Sequence, residues 1–159
     1  MDIANQKKAV IHLAFEVYHF RCYRRLYGNS RLTPVARQAV IYSLLLHERV
    51  LLGFFSEPLP TRKTDDCWMG DFITDNNIRK KLTPSASAKA MVVELHKRLA
   101  HFTRTRWERT PAPTMGFYAK YFDEIERLIN EFQAALPVDI RQVFINKLDS
   151  FAKSEPCTA

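Results

Sequence analysis

The chain has 159 residues, 47% of them apolar, a formal net charge of +7 and a pI near 9.5, enough for one core and hence one domain over 1–159. Four scattered glycines are too few for the turns and bulges of a sheet protein and provide neither a glycine-rich phosphate loop nor a GxSxG elbow, so the expected class is all-α and the common nucleotide-fold and hydrolase chemistries are set aside. The charge makes the molecule attractive to polyanions and says nothing about its fold.

A first helix is expected over about 4–26. Val10, Leu13, Ala14 and Val17 mark one apolar stripe and Ile11, Phe15, Tyr18 and Cys22 a second, which implies two packing neighbours. Gly28 and Asn29 predict a left-handed cap, and Thr33 followed by Pro34 predicts the cap and first position of a second helix over about 34–56. That helix is apolar nearly all round from Ala39 to Phe55, the pattern of the most buried helix in a bundle. Residues 57–84 read as a long polar connection with Pro58, Pro60, Gly70 and Pro84, in which DDCWMGDFI predicts one short helix capped by Asp65 or Asp66.

A third helix is expected after Pro84 and Ser85, with Ala88, Met91, Val92, Leu95, Leu99 and Phe102 on one face. TPAPT breaks the chain again. From about Met115 to Leu136 the residues Tyr118, Tyr121, Phe122, Ile125, Leu128, Ile129 and Phe132 give the strongest amphipathic pattern, and Pro137 opens a last helix to about Phe151 with Ile140, Val143, Phe144 and Leu148 inward. The expected architecture is an antiparallel bundle of four to five helices with one long irregular connection at 57–84.

Cys22, Cys67 and Cys157 are odd in number and widely spaced, the pattern of reduced thiols in a cytoplasmic protein rather than of a disulfide framework or a paired metal site. MDIANQKK lacks the order of a signal peptide, and AVIYSLLLHERVLLGFF is interrupted by His47, Glu48 and Arg49, so neither secretion nor membrane spanning is expected. No cofactor is implied. His96 and His101, five apart on a helix, diverge by about 140° and make no metal pair. Asp65, Asp66, Asp71 and Asp75 lack the ligand spacing of a calcium loop.

The segment LHKRLAHFTRTRWERT, 95–110, is the richest in chemistry-bearing side chains. Glu94, Arg98, His101 and Thr105 share a stripe beside the apolar face, where a histidine can move a proton, an arginine can grip a phosphate and a carboxylate can fix the arginine. An ordinary solvent pair of Glu94 with Arg98, and a histidine favoured by the helix end, explain the same spacing. A second cluster, YHFRCYRRLYGNSR, alternates Arg21, Arg24, Arg25 and Arg31 with Tyr18, Phe20, Tyr23 and Tyr27, an arrangement fit for single-stranded nucleic acid. Arg21 and Arg24 also continue the stripe of Val10, Ala14 and Val17, which predicts that at least one turns inward to a carboxylate or bound anion. His47 on the apolar second helix reads first as a satisfied core histidine, and Arg49 needs a partner or an exit to water. His47, Arg49 and Glu94 are the residues of a possible cleft with the third helix.

The long helix ending HERVLLGFF, the DDCWMGDF connection and the LHKRLAHFT segment together resemble the HEPN domain family over roughly 34–106. The resemblance implies a small bacterial helical bundle, often dimeric, acting as a metal-independent ribonuclease whose motif is an arginine followed after four to six residues by a histidine. Here Arg98 stands only three before His101, and the positions five to seven before it are His96, Leu95 and Glu94. The functional expectation is a cytoplasmic module associated with RNA or another polyanion, contacted by Arg98, Arg104 and Arg106 together with Arg21, Arg24 and Arg25. In an active version His101 is the general acid or base and Arg98 the charge stabiliser. The alternative is a noncatalytic bundle that forms a homodimer or binds a partner protein through an apolar face.

Overall fold

A computed structural model describes residues 1–56, 67–95 and 119–157. Among them lie six α-helices and one 3-10 turn: α1 Ile3–Tyr27, α2 Pro34–Phe55, the turn Met69–Asp71, α3 Asn76–Lys81, α4 Ala86–Leu95, α5 Phe122–Ala135 and α6 Val138–Ser154. The all-α class is as expected.

The first four helices start where a side chain satisfies free amides, whereas α5 and α6 begin without a side-chain cap. The Asp2 carboxylate accepts from the Asn5 amide at 2.8 Å to open α1, and the Thr33 hydroxyl accepts from Ala36 at 3.2 Å before Pro34 to open α2. Ser85 does the same for α4, accepting from Ala88, while its own amide and hydroxyl donate to Glu124 of α5 at 2.6 and 3.0 Å. The last carbonyls of α5 are satisfied by Arg141, which reaches back from α6 to the oxygens of Ala134 and Leu136. Gly28 departs from expectation: it closes α1 with an ordinary right-handed φ of −72°. The cap therefore draws on no left-handed freedom, and the Asn29 side chain instead turns the chain by accepting from the Arg31 amide.

α1 packs against α2 on one flank and α6 on the other, α2 against α4 and α5, and α5 against α6. Six residues join α1 to α2, so these two run antiparallel. The ion pairs Arg21 with Glu126 and Arg24 with Asp123 descend α5 as they ascend α1, which sets that pair antiparallel as well. α6 then runs parallel to α1, with Lys7 against Asp139 at one end and Cys22 bonded to Cys157 at the other. The bundle thus closes on a parallel pair.

The core gathers around Phe132 of α5. Phe54, Phe55 and Phe72 meet its ring edge-on at centroid distances of 5.2, 5.9 and 5.7 Å, a mode worth about 0.5–1.5 kcal/mol per pair beyond burial. From residue 67 onward the connection after α2 contributes to this core: Met69, Phe72, Ile73 and Leu82 are buried. Its 3-10 turn is held by Asp71, whose carboxylate accepts from the Trp68 amide and whose carbonyl accepts from Gln6 of α1. α3 was not expected at all; it has no apolar period and rests on the Asp75 cap and three basic residues in its last turn. The caps Asp65 and Asp66, and the continuation of α4 through Phe102, lie outside the described residues.

Two further expectations are corrected. α2 supplies many core residues, yet it is not buried all round, since Tyr42, Leu46 and Val50 are exposed. By length and composition α2 is apolar enough to cross a membrane, but half of that stretch is buried inside the fold, as a core helix would be. Cys22 and Cys157 are not reduced thiols: they form a disulfide with Cα atoms 5.5 Å apart, which ties the end of α6 to α1 across 135 residues of sequence. Cys67 takes no part in that disulfide. Titration of the unreduced, denatured protein with a thiol reagent should therefore find one thiol per chain, rising to three after reduction; three before reduction would refute the pairing.

Candidate functional site

The candidate residues fall into four places. Arg98, His101, Arg104 and Arg106 lie outside the described residues. On α1, Arg21 grips Glu126 through two nitrogens, Nε at 3.1 Å and Nη2 at 2.9 Å, with Asn130 accepting at 3.4 Å. Arg24 donates to Asp123 at 2.7 Å and lies over the Phe122 ring at 5.5 Å. These guanidinium groups stand on the inward stripe and meet carboxylates of α5. Arg25, one residue on, is exposed beside a shallow hollow formed with Tyr18, Arg21, Leu148 and Cys157.

His47 and Arg49 do not converge. Two residues along a helix separate side chains by about 200°, so the two stand on nearly opposite sides of α2. His47 turns to α1, where its Nδ1 lies 2.7 Å from Glu16 Oε2. A carboxylate only accepts, so Nδ1 carries the proton of this bond. Tyr23 and His19 stack on the imidazole at 5.6 and 5.5 Å and Phe15 meets its edge at 6.2 Å. His19 in turn donates from Nδ1 to the Phe15 carbonyl and faces Glu155, the residue that caps the end of α6, at 3.8 Å. A carboxylate–imidazole pair is the orienting half of an acid–base site. Here the ring is covered on its faces and 8% exposed, so the pair joins α1 to α2 as a satisfied core histidine. Arg49 is half-buried on the other side and forms no ion pair among the described residues, and Glu94 of α4 is half-buried. Among those residues no three His, Cys, Asp or Glu side chains gather to hold a metal ion.

Glu48 is the residue that the sequence reading passed over. It is fully buried, and neither carboxyl oxygen has a hydrogen-bond partner. Leu44 and Leu52, four residues to either side and both buried, share its face of α2, and that spacing was the available signal. Loss of solvation pushes its carboxyl up from 4.5 to about 8, so near neutrality it is held as the neutral acid.

The opposite face of α2 carries the fourth feature. At 100° per residue, Val35, Ala39, Tyr42, Leu46, Val50 and Gly53 fall within an arc of about 80°. All six are exposed, with Tyr42 at 49%, Leu46 at 46% and Val50 at 39%. The wheel alone made this stripe look like core. Compared with protein-family models, curated proteins and solved structures, the chain finds no match.

The Glu48 carboxyl gives a signed pH dependence. The native state holds a proton that the unfolded chain releases above pH 4.5, so stability falls by about 1.4 kcal/mol per pH unit as pH rises from 4.5 towards 8 and levels off beyond. Glu48→Met, of similar length, should remove that decline, so that denaturant midpoints of the two proteins lie close at pH 5 and separate in favour of the variant by pH 8. Parallel curves for the two proteins across that range would refute the assignment.

Proposed function

We propose that this chain is a noncatalytic helical interaction module whose contact surface is the outer face of α2. The observation that carries the reading is the exposure of Tyr42, Leu46 and Val50 in one stripe on the helix that also supplies much of the core. A contiguous apolar stripe left in water is the usual mark of a surface that meets another molecule. Behind the stripe, α2 is held by α1, α4 and α5 together. Three of the candidate acid–base and phosphate-gripping groups of the described part are already committed: His47 to Glu16, Arg21 to Glu126 and Arg24 to Asp123.

If the stripe is a contact surface, Leu46→Asp should leave stability within about 0.5 kcal/mol of the parent, as surface substitutions do. The same variant should bind less to a phenyl matrix and lose any concentration-dependent association seen by sedimentation. A loss of about 2–5 kcal/mol, the range of a buried leucine, would mean that Leu46 is core and would remove the proposal.

A second reading rests on charge. Residues 1–110 carry nineteen basic and ten acidic side chains, while 111–159 carry five and seven, so the polyanion-attracting surface belongs to the first two-thirds of the chain. In this reading the module resembles a HEPN domain and binds RNA through Arg25, Arg98, Arg104 and Arg106. Binding of a labelled RNA that weakens steeply with added salt is its expected outcome, and His101→Ala separates cleavage from affinity. Absence of binding at low salt would dispose of it.

A further inference from the structure

We propose that the Cys22–Cys157 disulfide is a reducible latch. A dithiol opens it, with Arg25 favouring departure of the Cys22 thiolate, and the last turns of α6 then leave α1 while the rest of the bundle stays folded. The proposal goes beyond the contact surface on α2 and does not depend on it.

The first argument is the place of the bond. α6 is anchored over its first half: Ile140 and Phe144 are buried, Arg141 bonds back to the carbonyls of Ala134 and Leu136, and Asp139 meets Lys7. After Phe144 that support thins. None of residues 145–157 is buried, and Glu155, Pro156 and Cys157 lie beyond the helix. The contacts of this end with α1 include Phe151 stacked on Tyr18 at 5.7 Å and edge-on to Phe15 at 5.9 Å, the Tyr18 hydroxyl donating to the Glu155 carbonyl, and His19 facing the Glu155 carboxylate. A segment with few buried apolar contacts opens locally at a lower cost than the core. A cross-link at this point therefore decides whether the end of α6 opens, whereas the start of α6 is held without it.

The second argument is the chemistry around the sulfurs. Cys157 is half-buried at the end of the chain and Cys22 is 8% exposed on α1, so an incoming thiolate has better access to the Cys157 sulfur. Attack there forms a mixed disulfide on Cys157 and expels Cys22 Sγ as a thiolate. Arg25 follows Cys22 by three residues, neighbouring it on the helix surface, and lines the same hollow as both cysteines. Its side chain is exposed and forms no hydrogen bond or ion pair among the described residues, whereas Arg21 and Arg24 are held by Glu126 and Asp123. A cation beside a departing thiolate stabilises it and speeds exchange. The second thiol of the reductant then attacks the mixed disulfide and releases Cys157. Two electrons and two protons pass to the protein, its S–S bond is replaced by two thiols, and one S–S bond forms in the reductant.

The third argument is what opening uncovers. Tyr18 and Cys22 are each 8% exposed, and the Tyr18 hydroxyl lies 3.4 Å from Cys157 Sγ. When the end of α6 departs, this flank of α1 enters water and His19 loses the neighbouring Glu155 carboxylate.

The test treats the native full chain with dithiothreitol and follows amide hydrogen exchange. Exchange across residues 149–157 should quicken at least about ten-fold on reduction, while the amides of α5 stay protected. The reduced chain should melt earlier, as loss of a long cross-link requires, yet keep its helical circular dichroism. Cys157→Ser should show the same opening without reductant. Arg25→Ala should slow reduction by about three-fold, with Arg25→Lys restoring the rate. A bond that is reduced only after denaturation would overturn the proposal, as would unchanged exchange across 149–157 in the reduced chain. Loss of protection in every helix at once would make the bond a staple of the whole bundle and overturn it too, and a reduction rate indifferent to Arg25 would remove the part given to that side chain.

Discussion

Holding one long helix on two sides at once is the constraint from which the rest of this fold follows. α1 presents α2 to one flank and α6 to the other by burying Val10, Leu13, Ala14, Val17, Tyr18, Phe20 and Cys22, while Ile11 and Phe15 of the second expected stripe stay exposed. The α2 contact is secured by the His47–Glu16 bond and the rings stacked around it. The α6 contact is secured by Tyr18 and Phe151 and by the hydrogen bond from the Tyr18 hydroxyl to the Glu155 carbonyl. With both neighbours fixed, α5 has one place left, over the junction, where it delivers Phe132 to the aromatic core and lines up Asp123 and Glu126 for Arg24 and Arg21. Ion pairs as exposed as that of Arg24 add little to stability, so their contribution is to fix direction and register.

α2 shows how one helix can answer to three environments. Its flank towards α1 holds an imidazole with a carboxylate partner, its inner face holds a carboxyl with none, and its outer face holds apolar side chains in water. The second and third of these are both unfavourable in an isolated chain. A buried carboxyl without a partner is tolerated by staying neutral, which removes most of the desolvation penalty that a charge would carry. An exposed apolar stripe has no such remedy among the described residues, and the proposed function supplies one, contact with another molecule.

Much of this was legible from the sequence, and the failures have specific causes. Thr33 before Pro34 placed the start of α2, Pro137 the start of α6, and the spacing of Phe122, Ile125, Leu128, Ile129 and Phe132 identified the buried face of α5. The inward turn of Arg21 and Arg24 followed from their stripe. α3 was invisible because a six-residue helix made by its cap and its charges leaves no periodic trace. The outer face of α2 was misread because an apolar wheel records hydrophobicity and not what covers it. Glu48 was overlooked in the opposite sense, as a polar interruption rather than a group enclosed by Leu44 and Leu52. The pairing of Cys22 with Cys157 depends on α1 and α6 coming to lie parallel, a long-range outcome that no local spacing encodes.

That bond has a topological consequence. Because it joins residue 22 to residue 157, nearly the whole polypeptide is a covalent ring with a short free arm before it. A ring has fewer open conformations to gain on unfolding, and for loops longer than a hundred residues the entropic advantage to the native state is on the order of 5 kcal/mol. A single backbone nick anywhere within the ring, the long segment after α2 included, would leave both fragments tethered and able to find each other again.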